Sequence, residues 1–150
     1  MVEVGDSDST DTSVLHVPDL GLVVAGDVIY NGCHMYLAQR VVVGGFGLWR
    51  EAIDKVEALK PQRIVCGHLN KHLDDNAERT IAETRQYLDR ADELLRTQPT
   101  AVDFFNAMIG RYPNHLGRTV LWTGARTLYG AREHPEEDFG KIVVAAWLEP

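Results

Sequence analysis

The chain has 150 residues, of which 45% are hydrophobic and 25% charged, and its formal net charge at pH 7 is -7. This composition is typical of a single globular domain. The acidic balance argues against a nucleic-acid partner, because binding phosphate groups requires a basic surface. No apolar stretch has the length of a membrane span, and the acidic residues 1–6 do not resemble a signal peptide. We therefore expect a cytoplasmic protein that does not insert into membranes.

The first predicted elements are a polar loop and a β-hairpin. Residues 5–13 are small and polar, and we expect Asp8 and Asp11 to hydrogen-bond the backbone of this loop. Residues 14–17 form a short apolar strand that ends at Pro18, and residues 22–25 form the next strand after a turn. Two such runs joined by a short polar turn predict an antiparallel hairpin.

Helical periodicity dominates the rest of the chain. Apolar residues at helical spacing predict helices over residues 48–60 and 75–96, on either side of a buried strand at residues 64–66. The pair Thr100 and Asp103 resembles a capping box that opens a third helix, with Val102, Phe105 and Ile109 facing inward. The remaining expectations are strand propensity at residues 41–43, a fourth helix over residues 116–128, a charged, loose segment at residues 131–138 and an apolar strand or tail at residues 142–147.

This order of elements predicts an α/β protein with a small sheet. The helices at residues 48–60 and 75–96 can cover one face of that sheet. No segment is an obvious cover for the other face, where apolar side chains would then meet water. We therefore expect a partner on that face, either a second copy of the chain or a missing companion.

Two strand ends carry the residues of greatest chemical interest. Gly26 and Asp27 follow the apolar residues 22–25, and Gly67 and His68 follow residues 64–66. If the two strands are neighbours, a carboxylate and an imidazole point at one place, and both groups are metal ligands. The alternatives are that Asp27 caps a turn and that His68 makes an ordinary hydrogen bond.

The other histidines and the two cysteines have simpler interpretations. His34 and Tyr36 could line a substrate pocket, but packing at the surface or in the core is the simpler expectation. Surface positions are expected for His72, His115 and His134. Cys33 and Cys66 are too few for a disulfide framework and read as small buried hydrophobes. Because Cys66 lies two residues before His68, a thiolate ligand on the same side of the strand is the alternative.

Taken together, four motifs resemble the second half of the metallo-β-lactamase-fold hydrolases. They are Gly5-Asp6-Ser7-Asp8, the strand entry at residues 12–18, Gly26-Asp27-Val28-Ile29-Tyr30 and Val65-Cys66-Gly67-His68. The resemblance implies one half of a four-layer αββα sandwich with one or two metal ions, usually zinc. It matches Asp27 to the aspartate that bridges the two metals and His68 to the last histidine ligand.

The chain departs from this family at two points. No histidines have the His-x-His-x-Asp-His spacing of the family's first half, and Asp6 stands where the family has a loop histidine. The resemblance therefore leaves Asp6, Asp27 and His68 as candidate metal ligands. The metal would be zinc, iron or manganese, and the alternative is that the chain binds no metal. We interpret residues 1–130 as the carboxy-terminal half of such a domain and residues 131–150 as a charged linker with an apolar tail.

Three functions remain open at this point. The first is a metal-dependent hydrolase whose site is completed by a second chain, most simply in a homodimer through the uncovered sheet face. The second is a catalytically silent half-domain that acts as a homo-oligomeric binding or assembly module. The third is a fragment that complements a separately made first half. None of the motifs identifies a small-molecule substrate.

Overall fold

The computed structural model describes residues 1–39 and 45–133. Over these residues the chain forms four strands, four α-helices and a short 3-10 helix at Pro18–Leu20. The strands are β1 (Val2–Gly5), β2 (Thr12–Val17), β3 (Leu22–Gly26) and β4 (Arg63–Cys66), and the helices are α1 (Gly47–Ala58), α2 (Ala77–Thr97), α3 (Ala101–Arg111) and α4 (Arg118–Glu133). The expected α/β class and the small mixed sheet are confirmed.

The strands form one sheet in the order β1-β2-β3-β4. β2 pairs antiparallel with both β1 and β3, so the predicted hairpin is present. β3 and β4 run parallel, with α1 in the connection between them. β1 was not among the predicted strands, because it is four residues long and only its Val4 is fully buried. Such a short element leaves no alternating pattern to detect.

Side-chain caps account for where α2 and α3 begin. The side chain of Asn76 accepts the backbone N–H of Arg79 and caps α2. At α3 the Thr100 hydroxyl accepts the N–H of Asp103 at 3.1 Å, as the capping box predicts. The apolar stripe predicted on α2 faces the core and comprises Ala77, Ile81, Leu88, Ala91 and Leu95.

α1 and α2 pack against one face of the sheet, which we call the inner face. It contributes Val4, Val14, Val23, Ala25 and Ile64 to the hydrophobic core. α1 and α2 add Trp49, Ala52, Ile53, Val56, Tyr87 and Leu88. Full burial of a large apolar side chain contributes about 1.5–3 kcal/mol, so this face carries most of the hydrophobic stabilisation of the sheet.

The outer face of the sheet bears a row of exposed apolar residues. The register pairs Leu15 with Val24 and Val24 with Val65, which places the three side chains side by side across β2, β3 and β4. Their exposed fractions are 44%, 36% and 38%, so no part of the described chain covers them. The bare apolar face expected from the sequence is therefore present over the described residues.

Several predicted details differ from the structure. Val102 was expected inward but is 53% exposed, because it lies in the first turn of α3 on the side away from the core. α4 begins at Arg118 rather than residue 116 and continues through Glu133, into the segment expected to be loose. The strand expectations at residues 41–43 and 142–147 lie outside the described residues. Within the described ranges, no helix combines the length and apolar character that spanning a bilayer requires.

Candidate functional site

The carboxyl ends of β3 and β4 meet at one edge of the sheet. The strands are parallel neighbours, and the Gly67 N–H donates to the Gly26 carbonyl at 2.8 Å just past their last ladder pair. Gly26 has φ 54°, a left-handed conformation in which a side chain would be strained. That turn directs Asp27 out of β3 toward the residues that follow β4.

Asp27 and His68 lie together at this edge. The Asp27 Oδ2 to His68 Nε2 distance is 3.7 Å, and the side chains are 37% and 49% exposed. A carboxylate–imidazole contact this exposed contributes at most about 1 kcal/mol to stability, so it adds little to folding. A Cβ at position 67 would overlap Asp27 Oδ1, so a side chain there would displace the Asp27 carboxylate.

Asp6 does not join this pair. Its Oδ1 accepts the backbone N–H of Asp11 at 3.1 Å, and this bond closes the loop between β1 and β2. Asp11 has φ 54°, and the bond from Asp6 helps to hold that left-handed residue in place. Over the described residues, no group of three or more His, Cys, Asp or Glu side chains is arranged to hold a metal ion.

Asp8 takes a role that the sequence did not suggest. It accepts the Tyr30 hydroxyl at 3.2 Å, whereas we expected it to bond its own loop backbone. Burial raises the pKa of Asp8 from 3.8 to about 6, and the nearby charge of Asp27 acts in the same direction. Asp8 therefore holds a proton more readily than an ordinary aspartate.

Tyr30 connects Asp8 to His68. Its ring is 3% exposed and stacks on the His68 imidazole, with centroids 5.3 Å apart and planes 7° from parallel. Burial, followed by the charges of Asp8 and Asp27, raises the pKa of Tyr30, so its hydroxyl stays protonated and donates to Asp8. No local sequence pattern indicated these contacts, because they join three segments that are distant along the chain.

A second cluster of polar rings is buried behind the site. His34 is 1% exposed, and its Nδ1 lies 2.9 Å from the Tyr87 hydroxyl. Burial lowers the pKa of His34 to about 4, and His115 and Arg118 contribute in the same direction. His115 was expected at the surface, but it is half-buried and stacks on Tyr87 at 5.9 Å, because the segment between α3 and α4 folds back onto residues 32–34.

Both cysteines are free and buried, as expected. Burial raises the pKa of Cys66 to about 12, so its thiol is not a ready thiolate ligand. β4 ends at Cys66, and the chain turns before His68. Consequently Cys66 faces the core while His68 is exposed, and the two do not share one side of a strand.

The described residues thus supply two adjacent donors, Asp27 and His68, at the strand ends. Catalytic zinc sites use three protein ligands, and structural sites use four. The described residues of a single chain therefore do not supply enough ligands for a complete metal centre. Comparison with protein-family models and with curated proteins gives no match to this chain.

Proposed function

We propose that this chain is a half-domain of the metallo-β-lactamase type whose metal-dependent hydrolase site is completed by a second chain. The observation that carries the proposal is the meeting of Asp27 and His68, at 3.7 Å, on the ends of two parallel strands. A carboxylate and an imidazole suit zinc, iron and manganese alike. The substrate would be a small molecule with a hydrolysable bond.

The outer face supports completion by a second copy. Val24 lies three residues before Asp27, and Val65 lies three residues before His68. Packed sheets lie about 10 Å apart, so a chain seated on Val24 and Val65 would bring its own strand ends toward this edge. A two-fold interface uses the same surface on both subunits, so a single sequence can supply both sides.

Metal content and solution mass, measured on the same purified sample, test this proposal. We expect a dimer with bound zinc, iron or manganese in a fixed ratio to protein. Val65→Lys should give a monomer without metal, whereas His68→Gln should give a dimer without metal. Leu20→Lys is the matched control, because Leu20 is 63% exposed but lies in the hairpin turn outside the outer-face row. A wild-type dimer free of metal would contradict the hydrolase proposal, and a wild-type monomer would contradict the half-domain proposal.

A catalytically silent assembly module is the second candidate. It is favoured by the position of Asp6, which serves its own loop, and by the lack of a third donor among the described residues. On this reading, replacing Asp27 and His68 together by alanine leaves the dimer and its unfolding midpoint unchanged, and the wild-type protein binds no stoichiometric metal. A metal-loaded wild-type dimer would exclude this candidate.

A further inference from the structure

We propose that Tyr30 is a positioning residue that fixes the imidazole of His68 and ties it to the loop between β1 and β2. This inference rests on the proposed role of His68 as a functional donor. It assigns to Tyr30 no contact with substrate or metal. Its action is mechanical: the tyrosine ring restricts which way the imidazole faces.

Tyr30 itself is held both at its backbone and at its ring. Its backbone N–H donates to the Thr84 hydroxyl oxygen at 3.2 Å, and that hydroxyl lies 3.3 Å from the Tyr30 carbonyl. Its ring packs near Trp49, with centroids 6.2 Å apart, and the Trp49 indole N–H donates to the Val28 carbonyl at 2.9 Å. A ring so anchored can act as a fixed platform.

His68 needs such a platform because it is exposed. Its carbonyl accepts the Asn31 N–H at 3.2 Å, which fixes the backbone but leaves the side-chain torsions free. The parallel Tyr30 ring removes much of that freedom and leaves Nε2 on the side of Asp27. Ligand histidines in proteins are commonly oriented by a partner that does not touch the metal.

The Tyr30 hydroxyl extends the link to the loop that carries Asp6. It donates to Asp8, which is also within hydrogen-bond distance of the Ser7 and Ser9 hydroxyls. The platform thus joins the loop between β1 and β2 to the residue after β4. Removing only the hydroxyl should release the loop and keep the stack, whereas removing the ring should release both.

Nuclear magnetic resonance of the full-length, metal-free protein tests these separate effects. Tyr30→Leu should shift the His68 ring resonances toward random-coil positions and average the His68 χ1 couplings. Tyr30→Phe should preserve the His68 signals and broaden or shift those of residues 7–9. Tyr112→Leu is the control, because it removes a tyrosine from the separate His34–Tyr87–His115 cluster. Unchanged His68 ring signals in a folded Tyr30→Leu protein would overturn the proposal.

A titration with Co²⁺ separates this inference from the proposed function. If the wild-type protein binds Co²⁺ through His68, we expect Tyr30→Leu to weaken binding about tenfold and Tyr30→Phe to restore most of it. Equal Co²⁺ affinity in wild-type and Tyr30→Leu proteins would overturn the positioning role. If the wild-type protein does not bind Co²⁺, the metal proposal fails, while the χ1 couplings of His68 still decide the role of Tyr30.

Discussion

The buried histidine His34 makes the stability of this protein depend on pH in a defined direction. Its pKa is lowered from 6.5 to about 4 in the folded chain, chiefly by burial. The folded state therefore holds His34 neutral, while the unfolded chain takes up a proton below pH 6.5. The free energy of unfolding is therefore unaffected by His34 above pH 6.5 and decreases as the pH falls toward 4.

The size of the loss follows from the two pKa values. A tenfold change in proton affinity corresponds to about 1.4 kcal/mol, so the fall from 6.5 to about 4 is worth about 3 kcal/mol by pH 4. Aromatic and imidazole groups surround His34, namely Tyr87 and His115, and the Arg118 cation is also near. Among the described residues, no carboxylate opposes the lowering of the His34 pKa.

Asp8 acts in the opposite direction over almost the same range. Its pKa rises from 3.8 to about 6 on folding, so its contribution to stability is fully present below pH 3.8 and is lost as pH rises through 6. Acidification from pH 7 to 4 should therefore raise the free energy of unfolding by about 2 kcal/mol through the protonation of Asp8. In the wild-type protein the two residues oppose each other, while His115, whose pKa is also lowered by burial, adds to the loss from His34.

Urea unfolding at fixed protein concentration between pH 4 and 7.5 can separate them. Relative to wild type, His34→Gln should gain about 3 kcal/mol of unfolding free energy on going from pH 7 to 4, and Asp8→Asn should lose about 2 kcal/mol. Leu20→Ala, which removes no titratable group from an exposed position, should show a constant offset. A constant offset between wild type and His34→Gln across the whole range would refute the argument.

Three further outcomes follow from local contacts. Gly67→Ala should push the Asp27 carboxylate away from His68, because the new Cβ would overlap Asp27 Oδ1; a crystal structure of the variant with the 3.7 Å contact intact would contradict this. Thr100→Ala should lower the unfolding free energy by about 1 kcal/mol through loss of the α3 cap, as urea denaturation can measure, and no change would count against the cap. The Cys66 thiol, whose pKa is raised to about 12, should react with Ellman's reagent at pH 8 only after unfolding, and rapid reaction in the folded protein would argue against its burial.

Much of the architecture could be predicted from the chain because the relevant forces are local. Helical periodicity identified α2, and the pair Thr100 and Asp103 located the start of α3. The run of apolar residues before Gly26 predicted β3, and the run before Gly67 predicted β4. These patterns can be read from sequence because they depend on neighbours within about one helical turn or one strand.

The residues of the candidate site also fall into a group that the sequence predicted and a group that it did not. The positions of Asp27 and His68 at two strand ends were predictable, since each directly follows an apolar run that closes with glycine. The roles of Asp8 and Tyr30 were not predictable, because their hydrogen bond joins residues 22 positions apart. Likewise, the contact between His34 and Tyr87 joins residues 53 positions apart. The sequence therefore left open whether the His34 ring lies at the surface or in the core.

Short stretches of the sequence thus determine the order of strands and helices and the residue types at the strand ends. They can do so because the conformation of each residue in them depends on its immediate neighbours. The stacking on His68, the raised pKa of Asp8 and the burial of His34 depend on packing between distant segments. Such contacts form only when distant segments pack together and exclude water. A short segment alone cannot lower the local dielectric constant or hold two rings from distant parts of the sequence next to each other.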